Sequence, residues 1–114
     1  MTCFGPAPAA AFVLQTPWGI QHIPPDGLRI GRTTEYSPLG QEISSRGFDN
    51  VSGRHAIIRI EDGAVVVEDV GSKNGTYVDG VDARTADENR IIAQPGALIQ
   101  LALDPPLELR VEHT

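Results

Sequence analysis

The chain carries a formal net charge of −6, yet its only lysine, Lys73, stands inside a short polar run, Ser72 to Thr76. A second polar run, Ser52-Gly53-Arg54-His55, lies about twenty residues earlier, and Gly31-Arg32 precedes both. These runs are denser in hydrogen-bonding groups than a plain turn requires. If Arg32, Arg54 and Lys73 converge, they form a local cationic pocket on an acidic body. Such a pocket suits a small anionic group rather than a polyanion, and the acidic balance gives no general attraction for nucleic acid. A guanidinium can give two parallel, charge-assisted bonds to a phosphate, whereas an ammonium acts as a point charge. Ser52, His55 and Asp69 are also the residue types of a hydrolase triad. A Ser and a His three residues apart on a loop are not thereby aligned, and the sequence holds no Gly-x-Ser-x-Gly elbow. It holds no P-loop, dinucleotide fingerprint or metal-ligand cluster either, so neither cofactor nor metal is expected.

The polar runs need rigid elements on both sides, and the segment Val51 to Gly80 supplies them. Ala56 to Ile60 and Ala64 to Glu68 read as strands joined by Asp62-Gly63, a dipeptide suited to a tight turn with positive φ. Thr76 to Val78 is followed by a second Asp-Gly, Asp79-Gly80, and Asn74-Gly75 offers left-handed geometry just before it. Upstream, Ala11 to Gln15 and Trp18 to Ile23 read as strands about the turn Thr16-Pro17, and Leu28 to Gly31 alternates as a half-buried strand should. Downstream, Val81 to Thr85 reads as a short strand and the segment to Arg90 as charged loop. Ala97 to Leu103 and Leu107 to Val111 form a last hairpin around Asp104-Pro105-Pro106. Many short strands with Gly and Pro turns argue for an all-β sandwich.

Residues 33 to 50 are polar and long for a connection inside a compact domain; Glu42-Ile43-Ser44 reads there as a short strand and Phe48 as an anchor. Trp18 is expected in the core or at its rim, and His22 and His113 at the surface. A length of 114 residues suits one domain over residues 11–114, and residues 1–10, rich in Ala and Pro, read as a flexible tail or linker remnant. The single cysteine, Cys3, cannot form an internal disulfide, which fits a reducing compartment. With no apolar run of membrane-spanning length and no basic signal-like start, the expectation is a cytoplasmic protein without a membrane partner.

Three blocks in order, Gly31-Arg32, then Ser52 to His55, then Gly71 to Gly80 (GSKNGTYVDG), resemble the forkhead-associated (FHA) domain. That family's pattern is GR, then SxxH, then GSxNGT with a nearby NG or DG, and the likeness covers roughly residues 11 to 111. It implies a two-sheet β-sandwich of about ten to eleven short, mostly antiparallel strands. It also implies reversible binding of phosphothreonine peptides through loops at one end, with no enzymatic activity.

Residue by residue, the resemblance puts Arg32 at the phosphate, with the Ser52 hydroxyl, the Gly53 backbone N–H and Lys73 beside it. It puts Asn74 on the peptide backbone, and Asn50 where the third residue after the phosphothreonine is selected. Arg54 either reaches the peptide or points to solvent. His55 is implied to brace the loop from beneath, with Gly31, Gly75, Ser72 and Thr76 stabilising loop geometry. The partner implied is a phosphothreonine-bearing protein, a Ser/Thr kinase or its substrate. The alternative module is an FHA-like scaffold that binds without regard to phosphate, and the joint presence of Arg32, Ser52 and Asn74 counts against it.

Overall fold

In the computed structural model, which describes residues 12–113, ten strands form two antiparallel sheets. The strands are β1 (Phe12–Thr16), β2 (Gly19–His22), β3 (Leu28–Ile30), β4 (Ala56–Glu61), β5 (Ala64–Asp69) and β6 (Thr76–Val78), followed by β7 (Val81–Asp82), β8 (Arg90–Ala93), β9 (Leu98–Leu101) and β10 (Leu107–His113). One sheet runs β2-β1-β10-β9-β6-β7 and the other β3-β4-β5-β8. Residues 1–10, expected as a tail, lie outside the described part. Among the described residues, no helix is long and apolar enough to cross a membrane.

Alternation builds the core. On β3, Leu28 and Ile30 are buried and Arg29 is exposed between them; on β10, Leu107, Leu109 and Val111 are buried and Glu108 and Arg110 exposed. Ile58, Val65 and Val67 face them from the middle of the second sheet. Both Asp-Gly turns have positive φ at each central residue, 53° and 78° at Asp62-Gly63 and 48° and 85° at Asp79-Gly80. That geometry matches the twist of a two-residue hairpin, and the registers Glu61↔Ala64 and Val78↔Val81 follow from it.

Two local expectations are corrected. Glu42-Ile43-Ser44 is not a strand but part of a helix, α1 (Gly40–Ser45). Leu39 and Ile43, four apart, both turn inward, and Glu42 pairs with Arg46 across one turn at 2.9 Å. Such i, i+4 neighbours belong to helical rather than strand spacing. Val81 to Thr85 is strand only as far as Asp82. The Asp82 carboxylate then accepts from the Arg84 N–H at 3.0 Å, and Ala83–Thr85 winds into a 3₁₀ turn. The charged segment before Arg90 holds one further 3₁₀ turn, Asp87–Asn89, and leads into β8, an edge strand on β5 that no alternation announces. Ile91 is half-buried there and Ile92 exposed. Trp18 lies in the β1–β2 turn, half-buried against the core, and Phe48 packs against the core as an anchor.

The registers decide where the polar runs meet. Ile30 pairs with Ala56 and Ala56 with Asp69, so the end of β3, the start of β4 and the end of β5 form one row. The chain leaves that row as Gly31-Arg32, arrives through Ser52 to His55, and leaves again towards Ser72 to Thr76. Thr76 pairs with Leu101, so this last connection crosses to the other sheet.

Ile43 tests whether α1 is part of the domain or a surface ornament, because its side chain is fully buried in the common core. Ile43→Ala should lower unfolding stability by about 2–4 kcal/mol in a denaturant titration. A loss within about 0.5 kcal/mol would mean that α1 can be removed without consequence.

Candidate functional site

Backbone contacts bring the first two loops together at van der Waals limits. The Arg32 N–H donates to the Ser52 carbonyl and the Thr33 N–H to the Gly53 carbonyl, both at 3.1 Å, and the His55 N–H donates to the Ile30 carbonyl at 2.9 Å. A Cβ on Gly31 would lie 2.0 Å from the Gly53 carbonyl oxygen, and one on Gly53 would lie 2.6 Å from Thr33 Oγ1. Only bare backbone fits this approach.

His55 is fully buried and joins the second loop to the third. Its Nδ1 accepts from the Ser52 N–H at 2.9 Å, while Nε2 lies 2.7 Å from the Gly75 carbonyl. An N–H donor on one side and a carbonyl on the other assign the neutral tautomer, with the proton on Nε2. Burial pushes the imidazole below its ordinary 6.5, outweighing the Gly75 carbonyl and the Asp69 charge, which pull the other way.

Asp69 organises the third loop. Its buried carboxylate accepts from the Gly71 N–H at 2.8 Å, the Ser72 N–H at 2.9 Å, Thr76 Oγ1 at 2.8 Å and the Ser72 hydroxyl. Burial alone would raise its pKa, but the bonds from Ser72, Thr76 and Gly71 outweigh it and hold the group below 3.8. Ser72 Oγ accepts in turn from the Gly75 N–H at 3.0 Å. Gly75 takes the left-handed conformation, φ 95°, that the sequence suggested for the Asn74-Gly75 pair. Arg84, held by Asp82 at 2.8 Å, donates to the Lys73 carbonyl at 3.1 Å. Sequence reasoning missed Asp69 and Arg84 as loop supports. An Asp with backbone N–H groups two and three residues ahead is a turn signal that could have exposed the first. The second depends on a partner eleven residues away.

What remains open faces outward. Ser52 Oγ accepts from the Lys73 N–H at 2.9 Å, so its own hydroxyl proton is free to donate. Arg32 gives Nε to the Val51 carbonyl and keeps both terminal nitrogens. Asn74 gives Nδ2 to the Asn50 carbonyl at 2.8 Å and keeps Oδ1. The fold thus gathers Arg32, Ser52, Gly53, Lys73 and Asn74 at one end of the sandwich. Asn50 is close by, but its amide donates to the Leu103 and Asp104 carbonyls at 3.2 and 2.8 Å. Arg54 turns aside, its guanidinium 5.8 Å from the Tyr36 ring centroid.

The FHA domain family model matches residues 28–102, which span all three loops. The chain belongs to the FHA domain family. Protein FraH of Nostoc sp. (strain PCC 7120) is 38% identical over 77 residues, covering 65% of this chain and 25% of FraH. The chain therefore spans about a quarter of the length of this relative. Among solved FHA structures, that of the CT664 protein from Chlamydia trachomatis superposes with a TM-score of 0.72 at 20% identity, covering 91% of this chain and 98% of that one. The N-terminal FHA domain of Rad53p from S. cerevisiae, in complex with a phosphothreonine peptide, gives 0.67 at 20% identity, covering 91% and 94%. EmbR of Mycobacterium tuberculosis, in complex with a low-affinity phosphopeptide, gives 0.70 at 21% identity, covering 92% of this chain and 25% of EmbR.

An FHA loop set leaves no hydrolytic triad here. The hydroxyl of Ser52 bonds Lys73 rather than the imidazole, both His55 nitrogens are committed, and Asp69 is bonded by Ser72 and Thr76. Among the described residues, no base is hydrogen-bonded to the Ser52 hydroxyl.

Two expectations follow. Gly31→Ala drives a Cβ into the Gly53 carbonyl and should cost about 1–3 kcal/mol of stability in a denaturant melt; a neutral result would mean that the loops separate freely. For His55, the folded pKa lies below the unfolded one, so the unfolded chain binds more protons in acid. The stability this group contributes is complete above about pH 6.5 and is lost as pH falls below it, by up to about 1.4 kcal/mol per pH unit. His55→Gln should flatten that part of the stability–pH curve, whereas parallel curves would show that His55 does not carry it.

Proposed function

We propose that the loop end docks reversibly onto phosphothreonine in an extended peptide segment of a protein partner. The observation that carries this reading is the division of labour among the polar groups. Asp69, Ser72, His55 and Arg84 spend their hydrogen bonds on the loops, while the Ser52 hydroxyl proton, two nitrogens of Arg32 and the Lys73 ammonium have no partner among the described residues. A phosphate with about two negative charges and three acceptor oxygens needs donors already in place. The free Asn74 Oδ1 complements them by accepting from the peptide backbone, whatever its sequence. The Gly53 N–H is a further donor to the phosphate, and Asn50 and Arg54 contact flanking residues. The phosphopeptide complexes of the Rad53p and EmbR domains support the same reading.

Docking of this kind is binding without turnover. The partner is the product of a Ser/Thr kinase or the kinase itself, and the cytoplasm is the compartment that fits. Threonine is preferred to serine because its methyl group is worth about 0.8 kcal/mol when buried.

Calorimetry with one peptide in phosphorylated and plain form is the test. The phosphothreonine form should bind with an affinity near micromolar, about −8 kcal/mol, and the plain form should not bind; equal affinities would end this reading. Arg32→Ala should weaken binding by a few kcal/mol and, through the lost Nε bond to the Val51 carbonyl, lower stability by no more than about 1 kcal/mol, with Arg32→Lys recovering only part of the affinity. His55→Ala should act chiefly on stability, lowering it by about 1–3 kcal/mol through the Ser52 N–H it leaves unpaired. An Arg32→Ala protein that melts early but still binds would exchange the two roles.

A further inference from the structure

The cations of this domain divide by whether a carboxylate neutralises them. Arg46 pairs with Glu42 at 2.9 Å, Arg59 with Glu68 at 2.6 Å and Arg84 with Asp82 at 2.8 Å, and Arg90 pairs with Glu61. Arg29, Arg32, Arg54, Lys73 and Arg110 have no carboxylate partner among the described residues. Arg32 and Lys73 belong to the loop site already described, and Arg110 donates to the Gly96 carbonyl at 2.7 Å. Two arginines are left over, and they share one place.

Arg29 and Arg54 line a concavity of about 200 Å³ together with Thr33, Glu35 and Tyr36. Its position is set by the strand register. Arg29 is the outward residue of β3, and Tyr36 closes a turn in which its N–H donates to the Thr33 carbonyl at 3.1 Å. The Arg54 guanidinium lies over the Tyr36 ring, which holds the charge in place without consuming its N–H donors. Burial pushes the Tyr36 phenol up, and Arg29 and then Arg54 pull it back; Glu68 pushes it up as well, but that carboxylate is paired with Arg59 at 2.6 Å. Glu35 is the only carboxylate in the lining; with two guanidinium groups against it, the pocket is net positive on a chain of charge −6. Its size is below the roughly 300–1,000 Å³ of sites for free small molecules and suits one side chain.

The pocket adjoins the loop site through the backbone. Thr33 follows Arg32, Arg54 follows Gly53, and the two pairs are joined by the Thr33 N–H on the Gly53 carbonyl at 3.1 Å. An extended peptide advances about 3.3 Å per residue, so a residue within a few places of a docked phosphothreonine reaches across this wall.

We propose that the Arg29–Arg54–Tyr36 pocket is a second anion subsite, which selects peptides bearing an acidic side chain, carboxylate or phosphate, close to the phosphothreonine. The proposal rests on the docking reading above and adds to it a rule for the flanking sequence. Arg29 and Arg54 are specificity-determining residues: they choose among phosphothreonine peptides rather than hold the primary phosphate.

The test is fluorescence anisotropy with labelled peptides on the whole chain. A parent phosphothreonine peptide has alanine at its flanking positions, and a set derived from it carries one glutamate at each position up to four residues on either side. A matching set carries phosphoserine in place of the glutamate. At one or two positions, glutamate should raise affinity about threefold or more and phosphoserine further, with the gain shrinking as salt is added. Which set gains more names the natural anion. Arg29→Gln and Arg54→Gln should each bring the acidic-to-neutral ratio towards one. Both side chains are exposed, so the variants should melt like the parent chain. A ratio of one at every position in the unaltered protein would overturn the proposal, as would a ratio that survives both substitutions. If the parent peptide binds equally with and without its phosphate, the docking reading itself fails and takes this one with it. Strong phosphate dependence with no acidic preference removes the second subsite alone.

Discussion

One neutral imidazole ties the working end of this domain to its scaffold. His55 takes an N–H from Ser52 on one nitrogen and gives its proton to the Gly75 carbonyl with the other. The bond to Ser52 holds the backbone of a residue whose side chain faces outward; the bond to Gly75 holds the tip of the neighbouring loop. Without the ring the Ser52 N–H would lose its partner, at a cost of about 1–3 kcal/mol, and the Gly75 carbonyl would keep only the Ala102 N–H, at 2.9 Å. No other uncharged side chain combines one donor and one acceptor so far apart in a rigid ring, so the constraint is chemical as well as steric. A protonated ring would set N–H against N–H, and the burial that lowers its basicity is therefore part of its function as a brace.

The rest of the site is layered on that bridge. Asp69, at the end of β5, gathers four donors from residues 71–76 and turns a polar run into a rigid loop. Gly31 and Gly53 let the other two segments approach at a distance no side chain tolerates. With shape settled largely by buried groups, the exposed ones hold the loops with part of their hydrogen-bonding capacity and keep the rest. The outward cations can then stay unpaired, which would be wasteful in a surface built only for stability, where nearby carboxylates take them up. Four of the nine cations are taken up in that way, and four of the remaining five lie at or beside the loop end.

Loops at a strand end are commonly mobile, and a binding site made of them loses affinity to ordering. Here the three loops begin or end on one row of paired residues, Ile30, Ala56 and Asp69, so the sheet fixes their origins. The β9–β10 connection joins them through the Asn50 amide. The result is a loop end whose backbone is held in place by the sheet and by buried side chains.

The sequence by itself determined what is local. Asp62-Gly63 and Asp79-Gly80 call for positive φ and obtain it, and short apolar, β-branched runs bounded by these turns mark strands to within a residue or two at β4, β5 and β6. The three polar blocks, by type and order, resemble the FHA pattern, and it is that resemblance that implied the loop end and His55 as a brace. Tertiary structure decided everything that depends on a distant partner. Ile43 reads as easily in a strand as in a helix until Leu39 shows which face is inward. Four residues at β8 acquire strand form only because β5 offers an edge. The Asn50 amide finds its acceptors more than fifty residues away, and Arg54 finds Tyr36 only when the end of β3 is folded against the start of β4. Such choices turn on which of several satisfied arrangements the packed core brings within hydrogen-bond reach, and no window of sequence contains that information.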